Sequence, residues 1–380
     1  MYEDDKGAAY RGLGFISTLV AHPESDAIVH GVDFHRLSTS GVWNVDGQLV
    51  YSDLTEEGDG FGGFVDVDYR PRQGRTHSVQ FTVFDDKIDV NDFGFQVRND
   101  TRDVRYSGEW VNSDISYGRN LFANMFVRYV ENGDGLRTRA GAGGGFSLTF
   151  NNLHSINVHG GYNPDRYDDL NSFDNGTFKV DAQANANIEY ETNEAKPFSL
   201  FARIDYRDEA LGGFALQGVA GIDWRPTHNL KFNFDVAYSD RNGWLLHQED
   251  SNFTTFNSHE WRPEFSLDFF PTAKQQFQVA LQWVGIRARE DEFYTLPDDS
   301  MILEPGPKPP GPSDNFNISD LSFQFRYRWQ IAPLSDLFIV YTRVDSSDTD
   351  ITNFRDMFSD SWNMPLGDFV IIKLRYRLGS

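Results

Sequence analysis

The sequence contains no cysteine in its 380 residues, which removes disulfides, thiolate nucleophiles and cysteine-based metal sites in one step. The absence agrees with an oxidising envelope compartment. It also contains no run of about 18 apolar residues, so a helical membrane span is excluded. Basic residues are scarce: 34 Lys and Arg against 57 Asp and Glu leave a net charge of −23. Nucleic acid is therefore not expected as a partner, because phosphate backbones call for clustered Lys and Arg. The 9 histidines show no metal spacing such as HExxH. There is no GxSxG elbow, and carboxylates are too numerous for one pair to stand out as a glycosidase acid and base. No catalytic residue, metal ligand or cofactor is assigned, and an enzyme is less favoured than a binding or transport protein. No shift in composition marks a linker, so residues 1–380 are expected to form one domain. The opening Met1-Tyr2-Glu3-Asp4-Asp5 has neither a basic n-region nor an apolar h-region. A barrel without an export signal is expected to be a truncated or trimmed chain.

What the chain does have is alternation. In Leu230-Lys231-Phe232-Asn233-Phe234-Asp235-Val236-Ala237-Tyr238-Ser239 every second residue is apolar and the intervening ones are polar. Phe178 and Val180 through Ile188 and Tyr190 repeat the pattern against Lys179, Asp181 and Glu189. Period-2 patterning reports a strand with two different environments, and a soluble sandwich produces it too. Length separates the two, since a tilted strand needs about 9–11 residues to cross a bilayer and soluble strands usually have about five or six. Aromatic residues, 15% of the chain, gather near strand ends at Trp224, Tyr238, Trp261, Trp283, Trp329, Tyr341 and Tyr376, as in an interfacial girdle. Short connectors at 70–74, 151–154, 225–228, 270–273 and 331–335 alternate with long loops such as 290–316.

Pairing each short turn with its flanking runs predicts about eighteen strands. They lie near 9–21, 26–37, 41–52, 61–70, 76–86, 101–112, 119–130, 136–150, 154–162, 177–191, 198–207, 212–225, 229–240, 259–270, 275–288, 317–331, 336–345 and 367–378. The fold class is all-β: an antiparallel transmembrane β-barrel, or part of a larger one, of the bacterial outer membrane. An even strand number with both termini on the short-turn side fits single-chain barrels of that membrane.

The acid collects in the predicted loops, at 53–59, 85–103, 165–174, 290–299 and 345–350. There it serves as solvated surface or as divalent-cation contact with an anionic outer leaflet. The loop 165–175 offers many oxygens but lacks EF-hand spacing. Gly141, Gly143, Gly144 and Gly145 precede a strand rather than a helix, so they read as easing backbone curvature or leaving room for a lumen element, and not as a phosphate loop.

The candidate functional residues are a basic ladder. Arg326 and Arg328 on one strand and Lys373, Arg375 and Arg377 on another fall opposite the apolar positions, as do Lys231 and Asp235 on a third. With Asp181, Glu189, Arg203, Asp205 and Asp268 they would line a lumen and select solutes by charge, or pair within the wall.

The segment Asn91-Asp92-Phe93-Gly94-Phe95-Gln96-Val97-Arg98-Asn99-Asp100, residues 136–145, residues 160–169, Phe325-Arg326-Tyr327-Arg328-Trp329 and Leu337-Phe338-Ile339-Val340-Tyr341-Thr342 resemble parts of an uncharacterised bacterial outer-membrane family. In that family a module like carbohydrate-binding family 9 precedes a large barrel. The resemblance implies that this chain is the C-terminal barrel portion, without the module and the early strands after it. The expected function is a channel or transporter for an unidentified small solute, in contact with outer-membrane lipid and lipopolysaccharide. The alternative is a surface carbohydrate-binding or carbohydrate-hydrolysing outer-membrane protein.

Overall fold

The computed structural model describes residues 2–3, 9–21, 26–55, 58–90 and 98–378. Positions 91–97 of the first family-like segment, 56–57 of an acidic loop, Met1, Asp4 and Asp5 of the opening, and Gly379-Ser380 lie outside the described residues. Contacts divide the chain into two compact units, residues 1–148, 159–170 and 177–184, and residues 149–158, 171–176 and 185–380.

In the first unit β1 (Tyr2–Glu3), β2 (Tyr10–Val20), β3 (Ala27–Leu37), β4 (Trp43–Leu54), β5 (Gly58–Arg72), β6 (Arg75–Phe84), β7 (Thr101–Asn112) and β8 (Gly118–Glu131) each pair antiparallel with the next. After them come β9 (Arg137–Phe150) and β10 (Ser155–Asn163), then a small ribbon of β11 (Arg166–Asp168) and β12 (Phe178–Val180). The second unit runs through β13 (Gln183–Glu191), β14 (Phe198–Asp208), β15 (Phe214–Thr227), β16 (Leu230–His247), β17 (Asn252–Thr272) and β18 (Gln275–Thr295). There β18 pairs with both β19 (Glu304–Gly306) and β20 (Phe316–Ala332), and β21 (Ser335–Asp348) joins β20 to β22 (Gly367–Arg375). Between β21 and β22 lies a helix, α1 (Phe354–Asn363). Setting aside β1, β11, β12 and β19, of 2 or 3 residues each, one strand stands for each predicted segment.

The register explains the alternation. Phe234 sits opposite Ile222 and Phe265, and Phe232 opposite Trp224 and Leu267, so one face of β15, β16 and β17 is apolar from Phe232 to Tyr238. Their other face carries Asp223, Asn233, Asp235, Glu264 and Asp268. In the first unit Phe15, Val32, Leu49, Val65, Phe81 and Val104 stand on the apolar face, while Asp33, Gln48, Asp66, Gln80 and Arg105 stand on the polar one. Cross-strand neighbours of like character on each face are what sheet pairing stabilises.

Four expectations are corrected. The segment 177–191 is not one strand: β12 turns away to pair with β11, burying Phe178 and Val180, and β13 begins only at Gln183. The strands β16, β17 and β18 run 18, 21 and 21 residues, well past their predicted ends, because a tight turn after His247 lets Phe253, Phe256 and Thr254 bury as they pair onward. This shortens the loop predicted at 290–316, of which 290–295 are strand and 304–306 form β19. Trp283 is no girdle residue. It is 4% exposed, packed with Leu321 and Met357 beneath α1.

The helix was not foreseen. Asn353 caps it, its Oδ1 accepting from the Arg355 and Asp356 amides at 3.0 and 3.3 Å. Phe354, Met357, Phe358 and Trp362 form one face, which packs on Trp283, Leu281 and Leu321. Those residues share the apolar face of β18 and β20 with Phe277, Val279 and Phe325, so α1 lies on the apolar side of the second unit.

Candidate functional site

The ladder residues are brought onto one face by register. Arg326 and Arg328 lie opposite Val340 and Phe338 of β21, which in turn lie opposite Ile371 and Lys373 of β22, and Asp336 lies opposite Arg375. One carboxylate, 1% exposed, organises two of the five cations: Asp336 accepts from Arg328 Nη2 at 3.0 Å on Oδ1 and from Arg375 Nη2 at 2.7 Å on Oδ2. Its near-complete burial makes both guanidiniums a requirement, since a carboxylate removed from water without donors is costly. Arg326 and Lys373 form no ion pair among the described residues, and Arg377 is held by its amide, which donates to Ser335 Oγ at 3.0 Å.

Lys231 and Asp235 share the polar face of β16 but serve differently. Lys231 Nζ meets Asp223 Oδ2 at 3.0 Å, and Arg225 Nε meets Asp223 Oδ1 at 3.1 Å. Asp235 instead stands opposite Glu264 with no ion pair among the described residues. At the short-turn end Lys196, Arg225, His228, Lys231 and Asp268 rim a cavity of about 380 Å³. Of the other lumen candidates, Arg203 pairs with Asp205 at 2.8 Å and approaches Glu189 at 4.0 Å. Asp336 and Asp223 are the anchors that pattern reading missed. An isolated Asp at a strand end resembles every other acid in so acidic a chain.

In the first unit the structure draws the family-like segments together. Arg98 is bidentate to Asp169, at 2.8 and 2.5 Å, and Asn132 Nδ2 adds a bond to Asp169 Oδ2 at 3.1 Å. Arg137 donates to Asp165 Oδ1 at 2.5 Å and Lys179 meets Asp165 Oδ2 at 2.8 Å. The hydrogen bond from Lys179, with help from Arg137, holds the Asp165 carboxyl below the usual carboxylate range. Bidentate Arg–carboxylate pairs fix geometry as well as charge, so these loops are tied down by their acid. Among the described residues no group of His, Asp and Glu has the arrangement of a metal site.

No curated protein matches the chain. Among solved structures it is similar to the siderophore receptor PirA from Pseudomonas aeruginosa, with a TM-score of 0.50 and 10% identity over 90% of this chain and 72% of that one. It is also similar to the FrpB iron transporter from Neisseria meningitidis (F3-3 variant), with a TM-score of 0.50 and 10% identity over 90% of this chain and 63% of that one. The F5-1 variant of FrpB gives a TM-score of 0.49 at 11% identity, over 91% of this chain and 62% of that one, so the chain spans less than two thirds of FrpB. At such identity the likeness concerns the fold, an antiparallel β-barrel. A family model described as a domain of unknown function, DUF5916, matches residues 13–379. The chain belongs to the DUF5916 family.

Proposed function

We propose that this chain forms the wall of an outer-membrane β-barrel, as one continuous domain, and passes an unidentified small solute along its polar face. The observation that carries this reading is the exposed apolar face. Phe15, Leu49 and Val370 are 68%, 68% and 66% exposed, and Leu13, Phe61, Ile204 and Phe234 are exposed with them. Soluble proteins rarely expose contiguous apolar patches beyond a few hundred Å², whereas a barrel needs an apolar band against lipid. The opposite face carries Arg326, Arg328, Lys373, Arg375, Arg377, Lys231 and Asp235, which line the path in this reading. PirA and FrpB, a siderophore receptor and an iron transporter by description, support a transport role by analogy of fold.

Outer-membrane lipid and lipopolysaccharide are the partners of the apolar face, and divalent cations bridge the acidic loops to them. The family match covers the barrel and supplies nothing for a carbohydrate-binding module. Single-channel recording in planar bilayers tests the proposal. Discrete conductance steps with a salt-gradient reversal potential are expected, and a correctly inserted protein that never conducts and takes up no labelled solute in vesicles would refute it.

A further inference from the structure

Charge on the polar face of the first unit is segregated. Asp33, Asp46, Asp66 and Asp68 stand on β3, β4 and β5, with His35 between Asp33 and Asp46 at 3.1 and 2.6 Å. Continuing across one row, Asp66 lies opposite Gln80, Gln80 opposite Arg105, and Arg105 opposite Arg128. Gln80 stands between Asp66 and Arg105, and no ion pair joins those two among the described residues. Beyond Gln80 the face turns basic.

Two arginines directly opposite each other repel, and a sheet ordinarily avoids the arrangement. Arg128 is compensated by Asp103, whose carboxylate takes its Nε and Nη2 at 3.0 and 2.5 Å. Arg105 has no ion pair among the described residues, and its guanidinium lies 5.8 Å from the centre of the Phe126 ring. Arg139, two residues after Arg137 on β9, also has none, and it stands in the fields of Arg128, Arg166 and Arg105 as well as that of the Asp103 carboxylate. Arg166 donates from Nη1 to the neutral Gln183 Oε1 at 2.7 Å and has no ion pair among the described residues. Glu109, two rows below Arg105 and opposite Asn124, is the other carboxylate of β7 on this face.

The floor beneath these cations is built. A Cβ on Gly143 would stand 2.9 Å from the Phe126 ring, and one on Gly141 would stand 2.2 Å from Asn163 Oδ1. The glycines therefore admit an aromatic ring and an amide where β9 side chains would otherwise project. Asn124, next to Phe126 on the same face of β8, keeps a buried side-chain oxygen without a hydrogen-bond partner. Gly141 and Gly143 thus shape a surface.

We propose that Arg105, Arg139 and Arg166, backed by Arg128 and floored by Phe126 and Asn163, bind a solute carrying two or more oxyanion groups, carboxylates or phosphates. A chain of net charge −23 that keeps three guanidiniums out of every ion pair among the described residues leaves their positive potential for a ligand. Planar guanidinium forks suit such groups in bidentate geometry. A charged face flanked by low-dielectric wall also focuses field lines and raises the local concentration of a counter-charged solute. The lipid phosphates of the membrane are not the ligand, because the site is on the face opposite Val104 and Tyr129. The proposal rests on the transporter reading for the direction in which its ligand travels, and not for binding itself.

The test is calorimetric titration of the full chain in detergent with citrate and, separately, with tripolyphosphate. Binding tighter than about 1 mM is expected from at least one probe, weakening steeply with added salt. Preference between the probes identifies carboxylate or phosphate. R105Q, R139Q and R166Q should each weaken binding about ten-fold, the effect of one lost charge-assisted bond. R139K should weaken it less, and R262Q on β17 not at all, with β-sheet circular dichroism unchanged in every variant. Absence of binding by both probes, or equal loss in R139Q and R262Q, would overturn the site. Binding without conductance would keep the site and overturn transport, whereas conductance without binding would do the reverse.

Discussion

The hydroxyl oxygens of Ser319 and Ser361 lie 2.7 Å apart in a buried contact that ties β20 to α1. Trp283 Nε1 donates to the same Ser319 oxygen at 3.0 Å, so one serine joins strand, indole and helix. Replacing Ser319 with Ala strands a buried indole N–H, at a cost of about 1–3 kcal/mol. Met357→Ala opens a cavity in the same cluster and should cost about 2–5 kcal/mol. Both variants are expected to speed tryptic cleavage at Arg355 in the folded protein, while S359A, at an exposed position of the helix, leaves the rate unchanged.

Phe234 and Asn233 are neighbours in sequence and opposites in environment. Arg at Phe234 should cost about 2–4 kcal/mol if that position is at the bilayer midplane. Arg at Asn233 should be mild, since it loses one bond to Asp223 at 3.1 Å and gains a carboxylate neighbour. Urea-dependent folding into lipid vesicles compares the two, and equal destabilisation would reverse the assignment of faces.

Because Asp336 already holds Arg328 and Arg375, the ladder cations outside any ion pair among the described residues include Arg326 and Lys373. Gln at both should move the reversal potential toward cation preference under a salt gradient more than Gln at Arg328 does. D336N should move it the other way by leaving two guanidiniums uncompensated.

Acid should loosen the loop ribbon of β11 and β12 before the strands. The Asp165 carboxyl is held low by Lys179 and Arg137, so its pairing contributes stability above the unfolded value of about 3.9 and loses it as pH falls through the depressed folded value. Amide exchange over residues 165–180, corrected for intrinsic pH dependence, should lose protection as pH falls below the unfolded carboxylate value while β16 keeps its own. In D165N that protection should already be reduced at pH 7 and should change less with acid.

Alternation determined most of the fold by itself, because a strand facing lipid on one side and water on the other must repeat every two residues. Every long strand from β2 to β22 could be read that way, and so could the shared face of Arg326, Arg328, Lys373 and Arg375. The tertiary structure decided what alternation is blind to. Asn353 and the spacing of Phe354, Met357, Phe358 and Trp362 are local helix signals, but so short a helix holds only where Trp283 and Leu321, far away in sequence, offer an apolar surface. Partner choice was equally hidden. That Asp336 takes two arginines while Arg105 takes no carboxylate among the described residues follows from cross-strand register, which places residues together by pairing rather than by any spacing along the chain.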